Sequence, residues 1–184
     1  MRVLGIDPGS ETTGWGVVEG DERGQKYRAV EFGAIRLSSG SSFPSRLLKI
    51  SRGLEEVIAR LKPDECAIED AFYANNPKVI LKLGQVRGVA LLAAESAALE
   101  ISEYAPRLIK QTVAGYGNAE KRQVQEMVRV LLSLTAVPEP HDAADALAVA
   151  ICHFHHAGAQ RRLAAAETRA KVSPTIAAAA RRRA

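Results

Sequence analysis

Three strand patterns crowd into the first 37 residues with no helical stretch between them, and after that a helical pattern separates each strand from the next. Residues 2–6 form a short apolar run that Asp7-Pro8-Gly9 stops with a turn sequence. A second run spans about Trp15–Glu19. A third, about Tyr27–Leu37, alternates through Val30 and Phe32 and then changes phase to Ile35 and Leu37 across Gly33, the signature of a β-bulge. Short polar loops containing Gly14 and Gly20-Asp21-Glu22 join the three, which predicts an antiparallel meander.

Pro44 then opens a helix with apolar positions at Leu47, Ile50, Leu54, Val57, Ile58 and Leu61, closed by Pro63. Ala67-Ile68 is a buried strand that leads into Glu69. Asn76-Pro77 caps a long helix through Val79, Leu83, Val86, Ala90, Ala93 and Ala97, on which Gly84 and Gly88 are expected to allow close backbone approach. Residues 99–105 form a fifth strand. Helices follow at about Pro106–Ala114, at Asn118–Leu134 with Val124, Val128 and Leu131 inward, and from His141 to about Gln160. No internal repeat is visible. A meander followed by alternating elements implies an α/β fold, a mixed five-stranded sheet with helices on its faces.

An apolar fraction of 47% over 184 residues fits one domain of about 150 residues, here placed at 1–160, and with aromatics at 5% its core must be built from Ala, Leu, Val and Ile. Lys and Arg exceed Asp and Glu by 25 to 21, but residues 161–184 alone carry seven basic side chains and one acid. The first 160 residues therefore hold 18 basic and 20 acidic groups. Overall charge cannot argue for a nucleic-acid partner, because the excess sits in an Ala/Arg-rich tail that reads as disordered. Charges interrupt every long apolar stretch, and the opening run is strand-like rather than a basic leader, so a cytoplasmic location is expected. Cys66 and Cys152 lie far apart in apolar surroundings and read as buried free thiols.

Three places hold carboxylates that a fold must explain. Asp7 ends the first strand, Glu69 ends another and is followed by Asp70, and Asp142 and Asp145 stand three apart on one face of the last helix. Singly, each has an ordinary explanation: a turn residue, an exposed strand end, charges favoured at a helix N-terminus. Meeting at one sheet edge, four carboxylates would repel and raise one another's pKa unless cations neutralised them. Such a cluster suits Mg²⁺, which takes oxygen ligands and leaves positions open for water and phosphate. Two ions about 3.5–4 Å apart would serve hydrolysis of a phosphodiester.

The motifs Gly5-Ile6-Asp7-Pro8-Gly9-Ser10, Ala67-Ile68-Glu69, Lys82-Leu83-Gly84-Gln85 with Arg87-Gly88-Val89-Ala90, Lys110-Gln111-Thr112-Val113, Ala119-Glu120-Lys121 and Asp142-Ala143-Ala144-Asp145-Ala146-Leu147 stand in this order. Over about residues 1–157 the chain resembles the RuvC family of bacterial Holliday junction resolvases, which have a ribonuclease H-like fold. The resemblance implies a catalytic and metal-binding tetrad of Asp7, Glu69, Asp142 and Asp145 with two Mg²⁺ per subunit, Mn²⁺ substituting. Some relatives carry His where Asp142 stands, which leaves His141 as a second catalytic candidate beside its reading as a solvated helix-start residue; Asp70 is at most a supporting group.

Lys110 and Lys121 match lysines that the family sets against DNA, and Lys78, Lys82 and Arg87 extend that surface. Phe72, backed by Tyr73, matches an aromatic that stacks on unpaired bases; its alternative is a lid over the core. The resemblance further implies a homodimer that nicks a four-way junction symmetrically, leaving 5′-phosphate and 3′-hydroxyl ends, and RuvA and RuvB as partners. The helix around Leu83, Val86 and Ala90 is the candidate interface, with core packing as its other use. Two other functional classes compete: a non-catalytic junction-binding module on the same fold, and an actin-like ATPase, suggested by Asp7-Pro8-Gly9 with Thr12-Thr13-Gly14 beyond it.

Overall fold

Alternation along the first strand divides the molecule into two layers. In the computed structural model, which describes residues 1–21, 26–70 and 76–158, β1 (Arg2–Asp7) sends Leu4 and Ile6 to one face of the sheet and Val3 to the other. β2 (Thr12–Gly20) and β3 (Tyr27–Arg36) complete an antiparallel meander with β1. The chain then crosses through α1 (Phe43–Leu61) to β4 (Glu65–Glu69), parallel to β1, and through α2 (Pro77–Ser96) to β5 (Glu100–Tyr104), parallel to β4. The resulting order is β3-β2-β1-β4-β5. Helices α3 (Pro106–Ala114), α4 (Lys121–Leu131) and α5 (141–158) follow.

One core lies between the sheet and α1/α2, built on Leu4, Ile6, Trp15, Val17, Ile50, Leu54, Ile68 and Val86; the other lies beneath α3, α4 and α5, built on Val3, Val18, Ala67, Ile109, Val128, Leu147, Ile151 and Phe154. Side chains close the helix starts. Ser42 Oγ accepts from the Ser45 N–H, Asn76 Oδ1 accepts from the Lys78 N–H at 2.9 Å, and Gln123 Oε1 accepts from the Glu120 N–H at 2.9 Å. Cys66 and Cys152 are buried free thiols; burial pushes Cys66 up to about 12 and Cys152 up to about 11. Among the described residues no helix is long and apolar enough to cross a membrane.

The mixed sheet with helices on both faces is as expected, but several local readings change. The bulge sits at Val30, where Val17 faces Glu31 and Val18 faces Ala29; Gly33 is regularly paired and leaves room for the Trp15 ring, 3.0 Å from where its Cβ would be. Gly14 is a strand residue, not a loop residue, because β2 begins at Thr12. Among the described residues nothing lies within 4 Å of a Cβ at Gly84 or Gly88, so neither serves close packing against them. Val86 and Ala90 are fully buried in the α1/α2 core, which assigns them to packing rather than to an interface. α4 starts at Lys121, three residues later than its apolar pattern implies, since Glu120 is its N-cap. Phe72, Tyr73 and the basic tail fall outside the described residues.

Candidate active site

The period of two that gives β1 its layers also points Asp7 toward α5, the side faced by Gly5 and Val3. In β4 the same rule sends Ala67 and Glu69 to that side, and the parallel register of Gly5 with Ala67 and Ile6 with Ile68 brings the two strand ends together. Asp7 and Glu69 are thus adjacent and share a hydrogen bond. α5 lies over them because glycines flatten the sheet beneath it. A Cβ on Gly14 would stand 2.0 Å from the Asp142 carbonyl oxygen, and one on Gly5 2.0 Å from that of Ala146. This close seat sets Asp142 and Asp145, in the first turns of α5, against the carboxylates of the sheet. Their spacing was legible; the glycines' part was missed, although Gly14 and Gly16 alternate in the way a flat strand face requires.

The electrostatics follow from this crowding. Burial first, then the negative charge of Glu69 and the hydrogen bond with it, then Asp145 and Asp142, raise the Asp7 carboxyl from 3.8 to about 9. Glu69 is also raised, by burial and by Asp145, against the opposing pull of its hydrogen bond with Asp7 and the charges of Lys110 and Lys121. Lys121 Nζ lies 2.6 Å from Asp145 Oδ2. Partial burial would lower the Lys121 pKa, but the hydrogen bond and the charges of Asp145, Asp7 and Asp142 outweigh it and raise it. Glu69, Asp145, Lys110 and Lys121 border a cleft of about 150 Å³ floored by Ile109, Val124 and Val149.

The donors are oxygen-only, the set that hard divalent cations take. Among the described residues no three such side chains are drawn together closely enough to enclose an ion. Asp7 and Glu69 share a hydrogen bond and Asp145 leans on Lys121, which is how mutually repelling carboxylates settle. Their chemistry and placement fit a divalent ion that would replace both proton and ammonium.

Other candidates scatter. Lys78 and Lys82 are exposed on the first turns of α2, with Lys82 Nζ 5.8 Å from the centre of the Phe43 ring. Arg87 is not an open cation: its guanidinium pairs with Glu103 and lies 3.6 Å from Asp70. His141 is exposed at the start of α5 and borders a neighbouring cleft with Lys121 and Arg122.

A mixed sheet in this strand order, flanked by helices, defines a ribonuclease H-like fold, with acids at the ends of β1 and β4 and on the closing helix as its candidate site. The family described as "Crossover junction endodeoxyribonuclease RuvC" matches residues 3–153. The chain is 52% identical over 162 residues to the crossover junction endodeoxyribonuclease RuvC of Chloroflexus aggregans, covering 88% of this chain and 98% of that one. Among solved structures, Thermus thermophilus RuvC in complex with a Holliday junction substrate is similar at TM-score 0.80 and 34% identity, over 87% of this chain and 96% of that one. The yeast mitochondrial Holliday junction resolvase, at 16% identity and TM-score 0.63, shares the fold. The chain belongs to the RuvC family.

Proposed function

We propose that the chain is a Mg²⁺-dependent endonuclease that resolves four-way DNA junctions in recombination and repair, cutting two like strands to leave 5′-phosphate and 3′-hydroxyl ends. The observation that carries this reading is the convergence of Asp7, Glu69, Asp142 and Asp145 at one seam, within a family match that runs almost the whole length of the described fold. Asp7 and Glu69 would hold one ion between the strand ends, and Asp142 and Asp145 would complete the ligand set for two. Bound there, Mg²⁺ supplies an activated water and stabilises the leaving oxygen of a phosphodiester; Mn²⁺ has the same ligand preference.

The chain's own groups prepare the site. Lys121 holds Asp145 in place and, once released from it, presents its ammonium to the phosphate. Lys110 faces the same cleft and adds positive charge beside Glu69. Such contacts position the backbone without reading sequence. A complete tetrad distinguishes the chain from a binding module that has lost cleavage.

Paired nicks call for two active sites related by a two-fold axis. Leu81 and Leu92, 68% and 64% exposed, flank Gly84 and Gly88 on the outer side of α2, a surface suited to a second copy. A cytoplasmic location and work beside RuvA and RuvB belong to the same reading, as does a division into a nuclease domain at 1–160 and a tail at 161–184 that adds general DNA affinity. The test is incubation with a synthetic four-way junction and its linear duplex, with and without Mg²⁺. Symmetric nicks on the junction alone, only with Mg²⁺, are expected; equal cutting of the duplex, or cutting in chelator, would overturn the reading.

A further inference from the structure

The end of β4 is held from both faces of the sheet. Side chains alternate along it, so Glu69 points toward α5 while the next residue, Asp70, points toward α2. The Asp70 N–H donates to the Tyr104 carbonyl at 2.9 Å, which carries the β4–β5 ladder one residue past Glu69. The Asp70 side chain meets Arg87. A single nitrogen of that guanidinium, Nη2, pairs with Glu103 Oε2 and lies 3.6 Å from Asp70 Oδ1. In the ladder Glu103 stands opposite Ile68 and Tyr104 opposite Glu69. One cation from α2 thus ties together the two strand ends that flank the Glu69 peptide.

The setting of Arg87 suits it to this task. Its neighbours Val86 and Ala90 are fully buried between α1 and α2, so the helix that carries it cannot shift without opening the core. Its side chain is only 18% exposed. A cation so enclosed and committed to two acids is poorly placed to meet a DNA phosphate, the use that its company with Lys78 and Lys82 suggests. Without the guanidinium, Asp70 and Glu103 would face each other uncompensated, and their repulsion would act on the backbone beside Glu69. Asp70 Oδ1 is shut off from solvent and has no hydrogen-bond partner among the described residues. Water could therefore replace the guanidinium only by opening the strand end.

We propose that Arg87 is a positioning residue for the metal site: by bracketing Asp70 and Glu103 from behind the sheet, it fixes the strand end that presents the Glu69 carboxylate to a divalent ion. This rests on the endonuclease reading above and adds to it a residue that acts through the backbone, from the face opposite the site. A ligand fixed beforehand needs no ordering when the ion arrives, which is why the groups behind a metal ligand affect affinity.

The experiment compares Arg87→Met with the wild-type chain in three measurements. In metal-free protein, hydrogen exchange of the Asp70 amide should quicken on the order of tenfold. The Mg²⁺ concentration that gives half-maximal junction cleavage should rise about tenfold. Junction binding in metal-free buffer should keep the wild-type salt dependence, whereas loss of a phosphate contact would reduce the log–log slope by about 1. Val57→Ala serves as the control, since it loosens the same core without touching the bracket; it should lower the melting temperature and leave the Mg²⁺ midpoint in place. An unchanged amide or Mg²⁺ midpoint in Arg87→Met, or a slope reduced by about 1, overturns the positioning role and leaves the endonuclease reading standing. An equal shift of the midpoint in Val57→Ala overturns it too, as general loosening would then suffice. If Arg87→Met does not fold, Glu103→Gln decides: it should move the amide exchange and the midpoint in the same direction by a smaller factor, and no movement sinks the proposal. A wild-type chain that does not cut the junction overturns both readings together.

Discussion

β4 carries a glutamate at each end of the same face, and α5 covers both, yet the two ends are built in opposite ways. At Glu65 the surroundings are complementary: its Oε2 lies 2.5 Å from His153 Nε2, and His153 Nδ1 lies 3.0 Å from the Tyr104 hydroxyl. The same turns of α5 place Cys152 to donate to Thr112 Oγ1 at 3.6 Å and His156 Nε2 3.3 Å from that oxygen. At Glu69 the neighbours are Asp7 and Asp145, and two lysines at the rim offset them only in part. A buried carboxylate meant to hold the fold together is given donors. One left among like charges is suited to a cation, so one strand and one helix form a structural joint at one end and the proposed metal site at the other.

The contrast is open to direct attack, and the largest effect comes from exchanging the two ends. Asp7→Asn should reduce junction cleavage in Mg²⁺ by on the order of 10³-fold or more, while Glu65→Gln should leave cleavage of folded protein close to wild type and cost about 1–3 kcal/mol in denaturant titration. Comparable losses of cleavage from both variants would erase the distinction. The seat of α5 comes next. Gly14→Ala must move the Asp142 carbonyl away from a Cβ placed 2.0 Å from it, so α5 should lift at its acidic end. A loss of about 10²-fold in cleavage is expected from that displacement, with about 1–3 kcal/mol of stability. A variant that cuts at the wild-type rate would show that the close seat is not what positions the acids.

The smallest effect is in the pH dependence of stability. Asp7 keeps its proton up to about 9 in the folded chain and releases it near 3.8 when unfolded. Between those values folding takes up a proton, so the metal-free protein should be most stable at the acid end of this window. Its melting temperature should then fall by a few degrees for each unit that the pH rises toward about 8. Asp7→Asn should flatten that slope and Glu65→Gln should not. Identical slopes in all three proteins would mean that the acidic end is not the source.

Much of this was visible in the residues, for reasons that differ from place to place. Asp7 and Glu69 could be placed because a short apolar run followed by an acid marks a strand end, and Asp142 and Asp145 because three residues is nearly one helical turn. Pro106 and Gly115 bracket α3 so sharply that its bounds matched the sequence reading. What escaped was set by contacts between distant elements. Gly14 resembles a turn residue until α5 is seen resting on it, and the phase change near Gly33 is produced by an unpaired Val30 three residues earlier. Arg87 reads as an open cation on a polar helix face, and only the β5 partner Glu103 reveals that its charge is engaged. Val86 and Ala90 could serve an interface or the core equally well by periodicity, and packing against α1 decided for the core.

Calorimetric titration of Mg²⁺ into metal-free protein at about pH 8 tests the difference between the two ends most directly. The wild-type chain and Glu65→Gln should bind the ion and release protons as they do so, and Asp7→Asn should lose that binding. Binding of Mg²⁺ to Asp7→Asn with undiminished affinity, or no binding by the wild-type chain, would contradict the assignment of the acidic end as a metal site.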